Sequence, residues 1–447
     1  MSQIRGFLTF LCETRFEDLS GDVIQQAKIC LLDLIGTAAG GSTLPGPHII
    51  RSHAARFFGA GEQASRMLFD GRPVSAPGAA LAGGSMIDGL DCHDGHALTK
   101  GHVGCAILPA ILAYYDAFGR DRTGQDLLTD LVIGYEIGTR MGIALHDTAC
   151  DYHTSGAWNA ITCAALGARI MNLDMDAARH ALGIAEYHGP RSQMMRVIDH
   201  PTMLKDGSGW GAMAGVSAAY LAQDGFSGAP ALLVEDRKSA PLWQELGDNW
   251  RIHEQYFKLY PVCRWAQPAI AAALSLKASH DVDGDEIEAV TIHTFHQGCR
   301  LFQGLPTDTE QAQYGISFPL AVALKYGAIN AAHISGAGLT DPDVIQLCGR
   351  IRIEENGKFN DRFPAERWAR AEILLKDGRM LESPDTKAAG DPDTPIADGR
   401  LALKFDELAK PVLGQARTKR LMESILTLDT PGYLIIPLLD DLLNPVD

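Results

Sequence analysis

Ala371-Glu372-Ile373-Leu374-Leu375-Lys376-Asp377-Gly378-Arg379-Met380-Leu381 is the stretch on which the fold class turns. Two apolar runs meet at Asp377-Gly378, a dipeptide suited to the positive φ of a tight hairpin turn. Upstream, Glu288-Ala289-Val290-Thr291-Ile292-His293-Thr294 is β-branched and alternates in polarity, as a half-buried strand does. Ile351-Arg352-Ile353 predicts a third strand. Helical patterns run from Pro268 to about His280 and over 317–326. Together these predict a smaller α+β unit over 267–396.

Before residue 267 the periodicity is helical throughout. Ser20 is placed to cap a helix whose apolar face holds Val23, Ile24, Ala27, Cys30, Leu31 and Leu34, ended by Gly40-Gly41. Further helices are predicted over 79–87, 105–118, 127–145, 155–170 and 209–221. Small residues are frequent in them, as helices that approach closely require. They make a large all-α domain over 1–266. Residues 383–398 read as a polar connection. Helical patterns at 401–408 and 415–425 then predict that 397–447 rejoins the helical domain. The class is mainly α with an α+β second domain, and 447 residues exceed what one core usually spans.

Asp and Glu outnumber Lys and Arg by 55 to 39, for a net charge of −16. With no basic stripe, nucleic acid is not an expected partner. Any anionic substrate would need a locally cationic pocket. The nine cysteines have irregular spacing and no CxxC, which predicts free thiols in a reducing, cytoplasmic setting and no zinc knuckle. No apolar run is long enough for a bilayer span, and the apolar patch at 7–12 lacks a cleavage-site pattern. Neither membrane association nor a signal peptide is expected.

Three polar breaks between the apolar helices concentrate acids, imidazoles and cations. They are Asp91-Cys92-His93-Asp94-Gly95-His96 with Lys100-Gly101-His102, then Asp151-Tyr152-His153-Thr154-Ser155-Gly156, then Arg191, Arg196 and Met203-Leu204-Lys205-Asp206-Gly207. These residue types carry general acid–base chemistry because their pKa values can be tuned toward neutrality. The blander readings are solvated helix ends, caps and surface charge. Asp91 and Asp94 would oppose the dipole of a preceding helix, so a cap alone does not account for them. Thr154 and Ser155 suffice to cap the next helix, which leaves Tyr152 and His153 free. Lys205 precedes a helix, where the dipole disfavours a cation. A metal site from His93, His96, His102 and Asp91 is possible on spacing alone. Cys105 and Cys263 read as buried thiols, since no base adjoins them.

These motifs resemble the MmgE/PrpD family. The matching elements run in order: Asp88-Gly89-Leu90-Asp91-Cys92-His93-Asp94, Gly101-His102-Val103-Gly104, Tyr152-His153-Thr154-Ser155-Gly156, Thr202-Met203-Leu204-Lys205-Asp206-Gly207 and Phe257-Lys258-Leu259-Tyr260-Pro261-Val262-Cys263-Arg264. The resemblance implies a site between a helical and an α+β domain, a homodimer, and no metal or organic cofactor. The family's activities include 2-methylcitrate dehydration, cis-aconitate decarboxylation and iminodisuccinate epimerisation. Carried over from the decarboxylase pattern, the active-site groups are Asp91, His102, His153, Lys205 and Lys258. That pattern has a Tyr where Phe318 stands here, with Tyr314 one helical turn away, and its spacing from Asp91 to His102 is one residue shorter. Tyr187-His188-Gly189-Pro190-Arg191-Ser192 with Met194-Met195-Arg196 is more similar to the epimerase branch.

The resulting expectation is a cofactor-independent epimerase acting on a small anionic polycarboxylate, iminodisuccinate, with a lyase of the same family as the alternative. Lys205 and the Tyr152/His153 pair would remove and return the proton on opposite faces. Asp91 would orient His102. Lys258, Arg264, Arg191, Lys100, Asp94 and His96 are the expected substrate-binding groups, with the carboxylate clamped by Lys258, Arg191 and Arg264.

Overall fold

The computed structural model describes residues 2–119, 121–397 and 399–446. Its first core is built from helices that cross at small residues. The Ser208–Gln223 helix lies against both Gly156–Ile170 and Ala76–Leu90, and the latter also packs on Gly104–Phe118. A methyl group on Gly84 would sit 2.7 Å from the Gly209 Cα, and one on Gly211 would sit 2.4 Å from the Gly156 carbonyl oxygen. No side chain fits at either crossing, so the small residues set the helix separation. That separation in turn sets the positions of the polar turns at the helix ends.

The Arg400–Thr427 helix packs along Gly21–Gly41, and its Phe405, Ala409, Leu421 and Ile425 join the first core. Gly414, at φ 72°, breaks it shortly after Pro411, so it is two helical pieces joined at a kink. The chain end thus returns to the helical body. No helix among the described residues is long and apolar enough to cross a membrane.

The second core lies on a five-stranded sheet. Ile351–Glu355 pairs in parallel with Ile287–Thr294, which pairs antiparallel with Trp368–Leu375. The Asp377-Gly378 turn, with Gly378 at φ 90°, carries the chain into Met380–Glu382, and Thr386–Lys387 pairs with the other end of Trp368–Leu375. Alternation puts Ala369, Ala371, Ile373 and Leu375 of one strand and Val290 and Ile292 of its neighbour on the buried face, with the Gln267–His280 and Ser317–Tyr326 helices.

Met194, Val197 and Ile198 belong to this second core although they precede it by some 60 residues, and so do Val262, Cys263 and Trp265. Apolar side chains from 194–198 therefore cross to the α+β unit. The cleft described next opens along that seam.

Candidate active site

A narrow cavity of about 30 Å³ is walled from the helical side by Asp91, Lys100, His102, Tyr152 and Asp206. From the other side come Tyr256, Cys263, Arg264, Tyr314 and Arg367. Asp91 and Asp206 sit with His102, while Lys100 and Arg367 bring cationic groups to the lining.

His102 is placed by the turn ahead of the Gly104–Phe118 helix. Its Nδ1 lies 2.5 Å from the Asp94 carbonyl oxygen, which only accepts, so Nδ1 carries the proton. Nε2 is then the bare nitrogen, 3.9 Å from Asp206 Oδ2. Burial, and then Lys258, push the imidazole down to about 3, so it is neutral across the ordinary pH range. The Ser155 hydroxyl accepts from the His102 backbone N–H at 3.0 Å and donates to Asp206 Oδ2 at 2.5 Å. Asn159 donates to the His102 carbonyl at 2.7 Å. Burial first and Asp88 second hold the Asp206 carboxyl far above the usual range; burial and Asp91 do the same to Asp88. Both carboxyls therefore keep their protons further up the pH range than an exposed acid does.

Asp91 terminates the Ala76–Leu90 helix in a left-handed conformation, φ 55°. It therefore does not share a helix face with Asp94. Lys258 reaches it from behind, Nζ 2.5 Å from Oδ1 and 3.0 Å from the backbone oxygen. Burial opposes the charged ammonium, but Asp91 overrides it and keeps Lys258 above its ordinary value. The expected pairing of Asp91 with His102 is thus replaced by a pairing with Lys258. Beneath the turn, Lys404 donates to Asp33 Oδ1 at 2.5 Å and also to the Cys92 carbonyl, which ties the C-terminal helix to the site.

Asp94 is fully buried with no hydrogen bond to either oxygen. Burial and Asp33 raise it to about 7. It supports the floor rather than lining the cavity. His93 packs its ring 4.3 Å from His102, neutral because burial and then His102 push it well down. His96 bonds Glu254 at 2.8 Å and is structural. These histidines are not arranged around one point, and no metal-holding cluster of His, Cys, Asp and Glu occurs among the described residues.

Lys205 is buried and donates to the Gln313 side-chain oxygen, while the Gln313 amide donates to Leu90 O at 2.7 Å. Its ammonium lies 5.0 Å from the Tyr314 ring centroid. It walls a neighbouring cavity of about 30 Å³ that also reaches Asp88 and Glu310. It is neither a surface residue nor paired with Asp206. Asp91, Lys100 and Lys205 are three of the six non-glycine residues with positive φ among the described residues. Strained backbone of this kind clusters where side-chain aim matters.

Several expected groups stand elsewhere. His153 bonds its own neighbour's carbonyl, Asp151 O, at 2.9 Å and does not line the cavity. Tyr152 does line it, with its hydroxyl donating to Lys100 O. Ser155 is not used as a helix cap, since its hydroxyl goes to Asp206. Arg191 is exposed and away from the cleft. Arg264 lines it but is neutralised by Asp391 at 2.7 Å. Cys105 and Cys263 are buried thiols, both pushed up by burial. Phe318 sits in the second core, whereas Tyr314 presents a phenol to the cleft. Asp88, Tyr256, Gln313 and Arg367 were not singled out as site groups by sequence. Arg367 lies between Glu366 and Trp368 just ahead of a strand, with no motif around it.

The sequence model of the MmgE/PrpD N-terminal domain matches residues 5–242, and that of the MmgE/PrpD C-terminal domain matches residues 260–429. The chain is 23% identical to the cis-aconitate decarboxylase of Aspergillus terreus, covering 96% of this chain and 94% of that one. It is 22% identical to the human cis-aconitate decarboxylase over 95% and 91% of the two chains. With the 2-methylcitrate dehydratase of Cupriavidus necator it shares 26% identity over 83% and 82%. Helical body, sheet-containing second unit and seam cleft agree with both domain matches, and the chain belongs to the MmgE/PrpD family.

Proposed function

We propose that the cleft removes and returns the proton beside a carboxylate of a small polycarboxylate, and that the net reaction is epimerisation, with iminodisuccinate as substrate. The observation that carries this is the tautomer of His102. Its Nδ1 proton is committed to a carbonyl, so Nε2 faces the cavity as a base. A polyanionic substrate brought beside that imidazole raises its pKa from the depressed resting value toward the working range. Tyr314 is the proton donor. Burial and then Asp91 keep its phenol protonated, no protein group accepts its hydroxyl proton among the described residues, and Lys205 lies against its ring. Lys100 and Tyr152 position the substrate. Lys258 and Asp91 act as a fixed ion pair beneath it rather than as a clamp.

A lyase is the second reading, favoured by the activities that the relatives' names carry and by Tyr314, which offers a phenol despite Phe318. The same base and donor would there expel water, or replace CO2 by a proton. The homodimer belongs to the same proposal and is checked by light scattering at two protein concentrations.

The deciding experiment is proton NMR in D2O with single stereoisomers of iminodisuccinate, and with 2-methylcitrate and cis-aconitate in parallel. Deuterium entering the α-position with the opposite stereoisomer accumulating and no mass lost is the expected result. Inert iminodisuccinate with loss of water or CO2 from another tube would overturn the epimerase in favour of a lyase.

A further inference from the structure

Seven Lys and Arg residues are buried among those described: Lys28, Arg140, Lys205, Lys258, Arg264, Arg367 and Lys404. Five are matched by a carboxylate, Asp429, Glu136, Asp91, Asp391 and Asp33 respectively for Lys28, Arg140, Lys258, Arg264 and Lys404. Lys205 has an amide oxygen and a tyrosine face. Arg367 has neither. It is 3% exposed, its Nε and Nη1 have no hydrogen-bond partner, and Nη2 makes one long bond, 3.4 Å, to the Ala97 carbonyl. Its guanidinium stands 5.9 Å from the Tyr256 ring centroid and forms part of the cavity wall with Lys100 and Tyr152.

A buried guanidinium without an anion is costly to the folded chain. We infer that Arg367 is the cleft's carboxylate receptor, taking one carboxylate group of the polycarboxylate in a two-point hydrogen bond while His102 faces the reacting carbon. The inference rests on the polycarboxylate reading and deepens it by naming the residue that selects the substrate class. Nε and Nη1 are left open and Nη2 spends one of its two N–H groups on a long bond, so one edge of the guanidinium, Nη2 with Nε or with Nη1, remains for a carboxylate. Arg264, the clamp the sequence suggests, is already occupied by Asp391 and three backbone carbonyls. Arg367 also comes from the α+β unit, just ahead of its Trp368–Leu375 strand, whereas His102 comes from the helical body. The bound carboxylate therefore links the two sides of the seam.

The test uses the full chain and tricarballylate, a tricarboxylate with no hydroxyl to eliminate, followed by calorimetry and thermal unfolding, alongside initial rates on whichever substrate the NMR experiment identifies. Wild type binds and its melting temperature rises with ligand. Arg367→Met is expected to weaken binding by about 100-fold and Arg367→Lys by about 10-fold, since each charge-assisted bond lost costs about 1.5–3 kcal/mol. Without ligand, Arg367→Met melts at or above the wild-type temperature, because an unmatched buried charge is gone. Retained affinity in Arg367→Met overturns the inference while leaving the polycarboxylate reading intact. A lower melting temperature of unliganded Arg367→Met makes the residue structural and also overturns it. Wild type that binds neither tricarballylate nor iminodisuccinate removes the polycarboxylate reading itself, and the inference with it.

Discussion

One backbone oxygen decides what His102 can do. With Asp94 O accepting the Nδ1 proton, the other nitrogen has no proton to give and faces the cavity. His102→Gln keeps the ring-sized polar side chain but loses the base. It is expected to lower α-proton exchange about 100- to 10,000-fold, with little change in melting temperature, as read by NMR and thermal unfolding. Asp206 supplies a second prediction. As pH rises, Asp88 and Asp206 lose their protons and add negative charge beside the cleft proposed for the anionic substrate. Turnover per KM is therefore expected to fall on the alkaline side, and Asp206→Asn to move or remove that limb while the acid limb stays. An unmoved alkaline limb in the variant would assign it to another group. Asp94 makes a stability statement of its own. Its folded value of about 7 lies above the unfolded value of 3.8, so its stabilising share is complete below about pH 4 and is lost as pH rises through about 7. The loss is on the order of 4 kcal/mol. Urea titrations at the two ends of that window should show a flatter pH dependence for Asp94→Asn than for wild type.

At the scale of elements, the site is made by helix ends rather than helix faces. The Ala76–Leu90 helix delivers Asp88 and Asp91, the Gly104–Phe118 helix begins just after His102, and the Ser208–Gln223 helix follows Lys205 and Asp206. Periodicity and turn chemistry made these helices legible to within a few residues, and the Asp377-Gly378 hairpin equally so. The partners were less legible. Spacing suggested that Asp91 orients His102 and that Ser155 caps a helix, yet Lys258 and Asp206 take those groups from 167 and 51 residues away. The Arg400–Thr427 helix tests this view of the site as an assembly of ends. Lys404→Met leaves Asp33 buried without its cation and the Cys92 carbonyl without its donor. The expected cost is about 3–5 kcal/mol, measured by urea denaturation. Adding Asp33→Asn should restore a large part of it, which a simple packing defect would not allow.

For the molecule as a whole, the two cores meet through 189–207 and around the cleft, so ligand binding and the joining of the units are one event. A polycarboxylate at 100 times its dissociation constant should add about 2.7 kcal/mol to unfolding stability. Calorimetry is expected to show a single transition moving upward, because both units hold the ligand. Two separated transitions, with only one moving, would mean that the cleft belongs to one unit alone.

The sequence by itself determined the fold class, several of the long helices though not Ser2–Glu13, Pro45–Phe57 or Met175–His188, the hairpin, the return of the chain end to the helical body, and the motifs that hold Asp91, Lys100, His102, Tyr152 and Lys205. These follow from local periodicity, turn residues and ordered motifs, which are properties of neighbours in the chain. Tertiary structure alone decided who neutralises whom. It gave Lys258 to Asp91, Asp391 to Arg264 and Gln313 to Lys205, put His153 and Arg191 aside, and left Arg367 buried without an anion. A charge's partner is set by distance in space and by the water removed around it, and neither quantity is carried by spacing along the chain.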